Sequence, residues 1–262
     1  MKKILCYLIT VLSGCFIYGS LTAQTVTLDY FFNSEHKKDS AGNLHRFHYT
    51  WEDRDQTGYS IWGDIFKKKG ATLKSLEEAP TAQNLAGSDI YMIVDPDTEK
   101  ENPSPQYIRA SHIAAIKEWV KKGGVLVLLA NDSANVELPH FNTLAGAFGI
   151  TFNNDDYHKV TGNQFEMGAF YIQHGHPVFT TARKIYMKEL STLSLKPPAE
   201  PIFKDGDKVI MAVSHYGKGT VFAVGDPWIY NEYCNGRLPK NYDNDKAAED
   251  LSAWLIKQAG KK

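Results

Sequence analysis

Four acidic positions stand directly after apolar runs: Asp95 and Asp97 after 88–94, Asp132 after 125–130, and Asp226 after 220–224. Glu52 and Asp53 lie in a long polar stretch after the first apolar run. Carboxylates delivered in pairs to one face suit glycoside chemistry, one acting as acid and the other as base or nucleophile. Glu52, Asp132 and Asp226 are the candidates for that work. Acids beside proline or asparagine also serve as turn and cap residues, which is the competing reading.

Other chemistries fit less well. Ser133 follows a buried run, yet the residues around it lack the glycine-nucleophile-glycine pattern of a nucleophile elbow. Cys234 follows an aromatic loop and reads as a packed structural thiol. The nine histidines include His45 and His48 three apart, but no compact ligand spacing, so no metal is expected. No glycine-rich phosphate loop follows the first strand, and no nucleotide cofactor is expected. What remains is a mixture of Tyr49, Trp51, Trp228, Tyr230 and Tyr233 with polar loop residues. Amphipathic rings beside hydrogen-bonding groups suit a sugar, although Trp228 and Tyr230 would equally serve to cover the sheet edge. The expected ligand contacts are His48, Trp51, Glu52, Asp95, Asp97, Asn131, Asp132, Asp226, Trp228 and Asn231.

The elements that must position these residues follow from periodicity. Val125 to Leu129 is five aliphatic residues without alternation, a strand buried on both faces and placed mid-sheet. A helix precedes it over 112–122, stopped by Gly123 and Gly124. Further strands are expected at 25–32, 71–76 and 88–94, with a helix at 59–69. A short helix at 141–148 and a strand at 150–152 come next, followed by edge strands within 168–172, 184–187 and 190–195. The pair 208–213 and 220–224 reads as a hairpin, and Asn244 as the cap of a last helix. The class is α/β, a doubly wound, mostly parallel sheet with helices on both faces and an antiparallel C-terminal hairpin. In such sheets ligands bind beyond the carboxyl ends of the strands.

Of the 262 residues, 43% are hydrophobic, ample for a single core, and the formal net charge of −1 offers no footprint for nucleic acid. Lys2 and Lys3, an apolar run and the small residues at 19–23 form a signal segment over 1–23, leaving one domain over 24–262. Export to the periplasm is the expectation. The run Leu12-Ser13-Gly14-Cys15 also fits a lipid-modified cysteine, and membrane attachment is expected only if Cys15 is lipidated.

Four blocks, at 45–53, 93–103, 123–135 and 217–233, resemble a glutamine-amidotransferase-like domain of unassigned function. That domain occurs in exported proteins of polysaccharide degraders, beside unsaturated rhamnogalacturonyl hydrolases. The resemblance implies a flavodoxin-like sandwich and a part in pectin or rhamnogalacturonan use. It implies no glutaminase activity, because amidotransferases place a cysteine where this chain has Asn131, Asp132 and Ser133. The expectation is an exported protein that binds a pectin-derived oligosaccharide at the sheet edge. A hydrolase or lyase using the strand-end carboxylates, or a docking module for a partner glycosidase, are the alternatives.

Overall fold

A computed structural model describes residues 23–260. The first half of the chain runs β1 (Thr25–Asp29), β2 (His36–Lys38), β3 (Leu44–Arg46), α1 (Ser60–Lys68), β4 (Thr72–Leu76), α2 (Ala82–Leu85), β5 (Ile90–Val94), α3 (Ala110–Lys121) and β6 (Val125–Leu129). The second half runs α4 (Leu138–Gly146), β7 (Ile150–Phe152), β8 (Ala169–Tyr171), β9 (Lys184–Tyr186), β10 (Leu193–Leu195), β11 (Ala199–Asp205), β12 (Lys208–Tyr216), β13 (Gly219–Val224), α5 (Asn231–Cys234) and α6 (Asn244–Ala259). The signal segment expected over 1–23, including Cys6 and Cys15, falls outside the described residues except for its last position. Among the described residues no helix is long and apolar enough to cross a membrane.

The fold is a mixed α/β one built on a nine-stranded sheet ordered β4-β1-β5-β6-β13-β12-β10-β7, with β11 also paired to β12. The first five strands of that order are parallel. From β13 onward the pairing is antiparallel. The mid-sheet position expected for 125–129 holds, with β5 and β13 on either side. Its side chains divide between two cores: Val125, Val127 and Leu129 join α1 and α6 on one face, and Leu126 and Leu128 join α3 and α4 on the other. That is why the run shows no alternation: both faces are dry.

Several features depart from the sequence reading, among them the short helices α2 and α5, which it did not expect. Strand β11 was not expected, because Pro197, Pro198 and Pro201 interrupt its pattern; it tolerates Pro201 by pairing on one side to β12 with register shifts. The loop after β1 contains the small β2–β3 hairpin rather than remaining irregular. Asn244 does not cap α6; Asp243 is the N-cap, while Asn244 accepts the Tyr186 amide at 2.8 Å and donates to the Tyr186 carbonyl at 2.9 Å. The residue thereby ties the last helix to β9 instead of closing its own first turn.

Candidate functional site

The carboxyl ends of β1, β5, β6 and β13 face one side of the molecule, and the segments leaving them define a cavity of about 120 Å³. It is lined by Asn33, Glu35, His48, Tyr49, Asp95, Glu101, Asn131, Asn135, Lys188, Glu189 and Tyr230. Its frame is a set of short polar ties between strand ends. Asp95, just past β5, donates its amide to the Leu129 carbonyl at 3.0 Å and accepts the Asn131 amide on Oδ1 at 2.8 Å. Asn33, just past β1, donates Nδ2 to the Asp95 carbonyl at 2.8 Å. Its Oδ1 is buried with no partner, an uncommon state for a polar atom away from water.

Backbone strain is concentrated here. Of the five non-glycine residues with positive φ among the described residues, His48 (67°), Tyr49 (51°), Asp95 (33°) and Glu189 (53°) line this cavity. Left-handed backbone at ordinary residues is costly, and it tends to gather where a side chain must be aimed for function. His48 is aimed at Glu35, with Nδ1 to Oε1 at 2.6 Å, and its ring stacks on Tyr49 with centroids 3.8 Å apart.

The buried acids are pushed toward their neutral forms. Asp95 is held well above the usual carboxylate range by burial, reinforced by the nearby Asp226 and opposed by bonds from the Asn131 amide and the Tyr49 hydroxyl. Asp226 lies behind the cavity wall and accepts the Lys188 amide at 2.8 Å; burial pushes it up to about 8. Burial thus favours the protonated form of both groups, and a protonated carboxyl can donate as well as accept.

Of the residues singled out from the sequence, His48, Asp95 and Asn131 meet in this cavity, with Asp226 at its back. Asp132 accepts the Ala134 amide at 2.6 Å and Asn135 Nδ2 at 3.1 Å, and so shapes the rim as a turn residue. Asp97 is a tie between loops, accepting the Ser34 amide at 3.0 Å and Asn102 Nδ2 at 2.7 Å. Glu52 lines a separate surface depression and pairs with Arg46 at 2.9 Å. Trp51 and Trp228 are core residues, Trp51 donating Nε1 to the Lys74 carbonyl at 3.1 Å. Asn231 is buried scaffold, holding the Ile61 amide at 3.0 Å. Cys234 is buried, and its thiol pKa is raised by burial, which leaves it inert as a nucleophile.

Sequence reasoning passed over Asn33, Glu35, Glu101, Asn135, Lys188 and Glu189. Asn33 and Glu35 begin the long loop after β1, and proximity to a strand end was the signal that could have found them. Lys188 and Glu189 come from the segment joining β9 to β10, where short strands give little periodicity. Because Glu52 stands apart, Glu52→Gln is expected to leave ligand affinity at the cavity within about twofold, whereas a tenfold loss (about 1.4 kcal/mol) in a calorimetric titration would restore it to the site. Among the described residues no group of three His, Cys, Asp or Glu side chains is arranged to hold a metal ion.

Solved structures resembling this fold share little sequence with it. The mmIFT52 N-terminal domain superposes with a TM-score of 0.65 at 16% identity, covering 89% of this chain and 97% of that one. Cytoplasmic Protein STM1381 from Salmonella typhimurium LT2 gives 0.56 at 13% identity, covering 89% of this chain and 98% of that one. A β-galactosidase from Bacillus circulans sp. alkalophilus gives 0.55 at 12% identity over 91% of this chain, but only 31% of the enzyme. At such identities the likeness is one of fold. No curated protein matches the sequence. The resemblance to a glutamine-amidotransferase-like domain is overturned: the family model that matches is a different one, and the neighbours named above are not amidotransferases. The physical counterpart lies after β6, where Asn131 bonds the Asp132 amide at 2.8 Å and Asp132 bonds its own turn, so the segment is a rim and not an elbow presenting a nucleophile. The matching model spans residues 52–237, and the chain belongs to the family described as a domain of unknown function, DUF4350.

Proposed function

We propose that this protein is an exported binding protein whose cavity at the carboxyl edge of the sheet takes a small, hydroxyl-rich ligand, one sugar unit in size. The observation that carries the reading is the convergence of four left-handed non-glycine residues on a cavity whose lining includes Asn33, a residue with a buried, unpartnered Oδ1. Neutral carboxyls, amides and tyrosines supply donors and acceptors in the mixture that hydroxyl groups satisfy. At about 120 Å³ the cavity is far below the roughly 300–1,000 Å³ of drug-sized sites, so it suits the end unit of a chain rather than a chain lying across the edge. Helices contributing to both cores support reading the sheet as a flavodoxin-like, doubly wound one, in which this edge is the usual ligand position.

The test is a calorimetric screen of monosaccharides and short glycans, pectic fragments among them, with mass spectrometry of the solution afterward. Binding without new product masses is the expected outcome. New masses would replace the binding reading by a hydrolase or lyase one, and an absence of both would remove the sugar reading. Asn33→Ala is expected to weaken a bound sugar about tenfold, because a buried acceptor that meets a ligand hydroxyl is worth roughly 1.4 kcal/mol. Unchanged affinity in that variant would place the ligand elsewhere.

A further inference from the structure

The cavity has an excess of acceptors whose own cations are already engaged. Among its lining residues the basic groups are His48, bonded to Glu35 at 2.6 Å, and Lys188, whose Nζ lies 3.4 Å from Glu189 Oε2. Asp95 and Glu101 also line it, and Asp226 stands behind. Beside Asp95, to whose carbonyl its amide is bonded, Asn33 presents a buried Oδ1 with no donor. An acceptor of that kind needs an N–H or O–H from the ligand. A hydroxyl brings one donor, whereas an ammonium brings three and a charge that lets a neighbouring carboxyl ionise. Tyr49 and Tyr230, with ring centroids 6.0 Å apart, add aromatic surface of the kind that attracts cations.

We infer that the ligand carries a protonated primary amine beside its hydroxyls, as an amino sugar does, and that the amine seats against Asp95 and Asn33 Oδ1. This rests on the sugar-binding reading and narrows it. His48 is bonded to Glu35 and Lys188 is paired with Glu189, which leaves Asp95 without a basic partner among the lining side chains. A free carboxylate or phosphate ligand is disfavoured by the same arrangement, since it would meet Glu101 and an unfilled acceptor together.

Calorimetric titration of the purified protein with glucosamine, glucose and N-acetylglucosamine tests this. Glucosamine is expected to bind at least about tenfold tighter than either of the other two. Asp95→Asn should bring the three affinities together, since the amide keeps an acceptor for the Asn131 amide while losing the charge. Should that variant fail to fold, Glu101→Gln on the exposed rim is expected to reduce the preference for glucosamine two- to threefold. Equal binding of glucose and glucosamine by the unaltered protein would overturn the amine inference and leave a neutral-sugar site standing. Failure of glucosamine to bind would also overturn it, and whether neutral glycans bind in the wider screen then decides the sugar reading separately.

Discussion

Asn231→Ala is expected to lower the unfolding free energy by about 3–4 kcal/mol, as measured by urea denaturation. The residue is only 2% exposed, and its side chain makes four bonds that link distant parts of the chain. Oδ1 accepts the Ile61 amide at 3.0 Å, in the first turn of α1, whose N-cap Tyr59 offers no side-chain cap. Nδ2 donates to the carbonyls of Asp53 and Asp55 at 3.0 and 2.7 Å and to Ser60 Oγ at 3.0 Å. Removing the amide leaves a helix-terminal N–H and loop carbonyls without partners in a dry setting, which costs more than the net value of the bonds themselves. Asn231→Asp should be nearly as damaging, since it keeps the acceptor for Ile61 but turns a carboxylate toward two carbonyl oxygens. A loss below about 1 kcal/mol would mean the bonds are readily replaced by water. Reduced ligand affinity with intact stability would return Asn231 to the role of a ligand contact.

The second large effect is a dependence of stability on pH that runs opposite to ordinary acid denaturation. Asp29 is buried at the end of β1, where it accepts the Phe32 amide at 2.7 Å and the Tyr91 hydroxyl at 2.5 Å; burial pushes its pKa up to about 7 despite those bonds. Asp226 is pushed up to about 8 for the same reason. In the unfolded chain both ionise near 3.9, so between pH 4 and 8 the folded state binds more protons than the unfolded state. Their contribution to stability is therefore fully present at or below about pH 4 and is lost as pH rises through 7 to 8. The loss by pH 8 is on the order of 4 kcal/mol for Asp29 and on the order of 5 kcal/mol for Asp226. Asp243 and Asp250 are held below the usual carboxylate range by their hydrogen bonds, and they act in the opposite sense, losing their contribution as pH falls below about 4. Comparing each variant with the unaltered protein cancels those terms. Asp29→Asn and Asp226→Asn, followed by urea denaturation at pH 5 and pH 8, should each narrow the stability difference between the two pH values. A difference as wide in both variants as in the parent would show that neither carboxyl holds its proton in the folded state.

Much of the fold is legible in the residues that repeat. Val125 to Leu129 announces a two-faced strand because each residue meets a dry core, and the helices flanking it show their stripes. Strand β11 hides behind prolines, and the tie made by Asn244 hides because a helix cap and a buried amide bridge use the same residue type in the same place. The site was legible in outline only. Asp95 and Asn131 stand at strand ends, where topology alone nominates them. Trp51, Trp228 and Asn231 are equally polar-tipped and equally near loops, yet they face inward, a distinction set by packing partners far away in sequence. Lys188 and Glu189 reach the cavity because Gly225 lets the Ser191 backbone approach β13; a Cβ at Gly225 would stand 1.8 Å from the Ser191 carbonyl oxygen. No local pattern encodes that approach.

The most direct test of the binding site is an amide NMR titration of the assigned protein with glucosamine and with the tightest neutral glycan from the screen. The largest shifts are expected on Asn33, Tyr49, Asp95, Asn131 and Lys188, with the separate depression lined by His45, Arg46 and Glu52 unmoved. Shifts gathered instead on the groove formed by Phe170, Tyr171 and Phe203, or on the depression lined by His45, Arg46 and Glu52, would contradict a ligand site in this cavity.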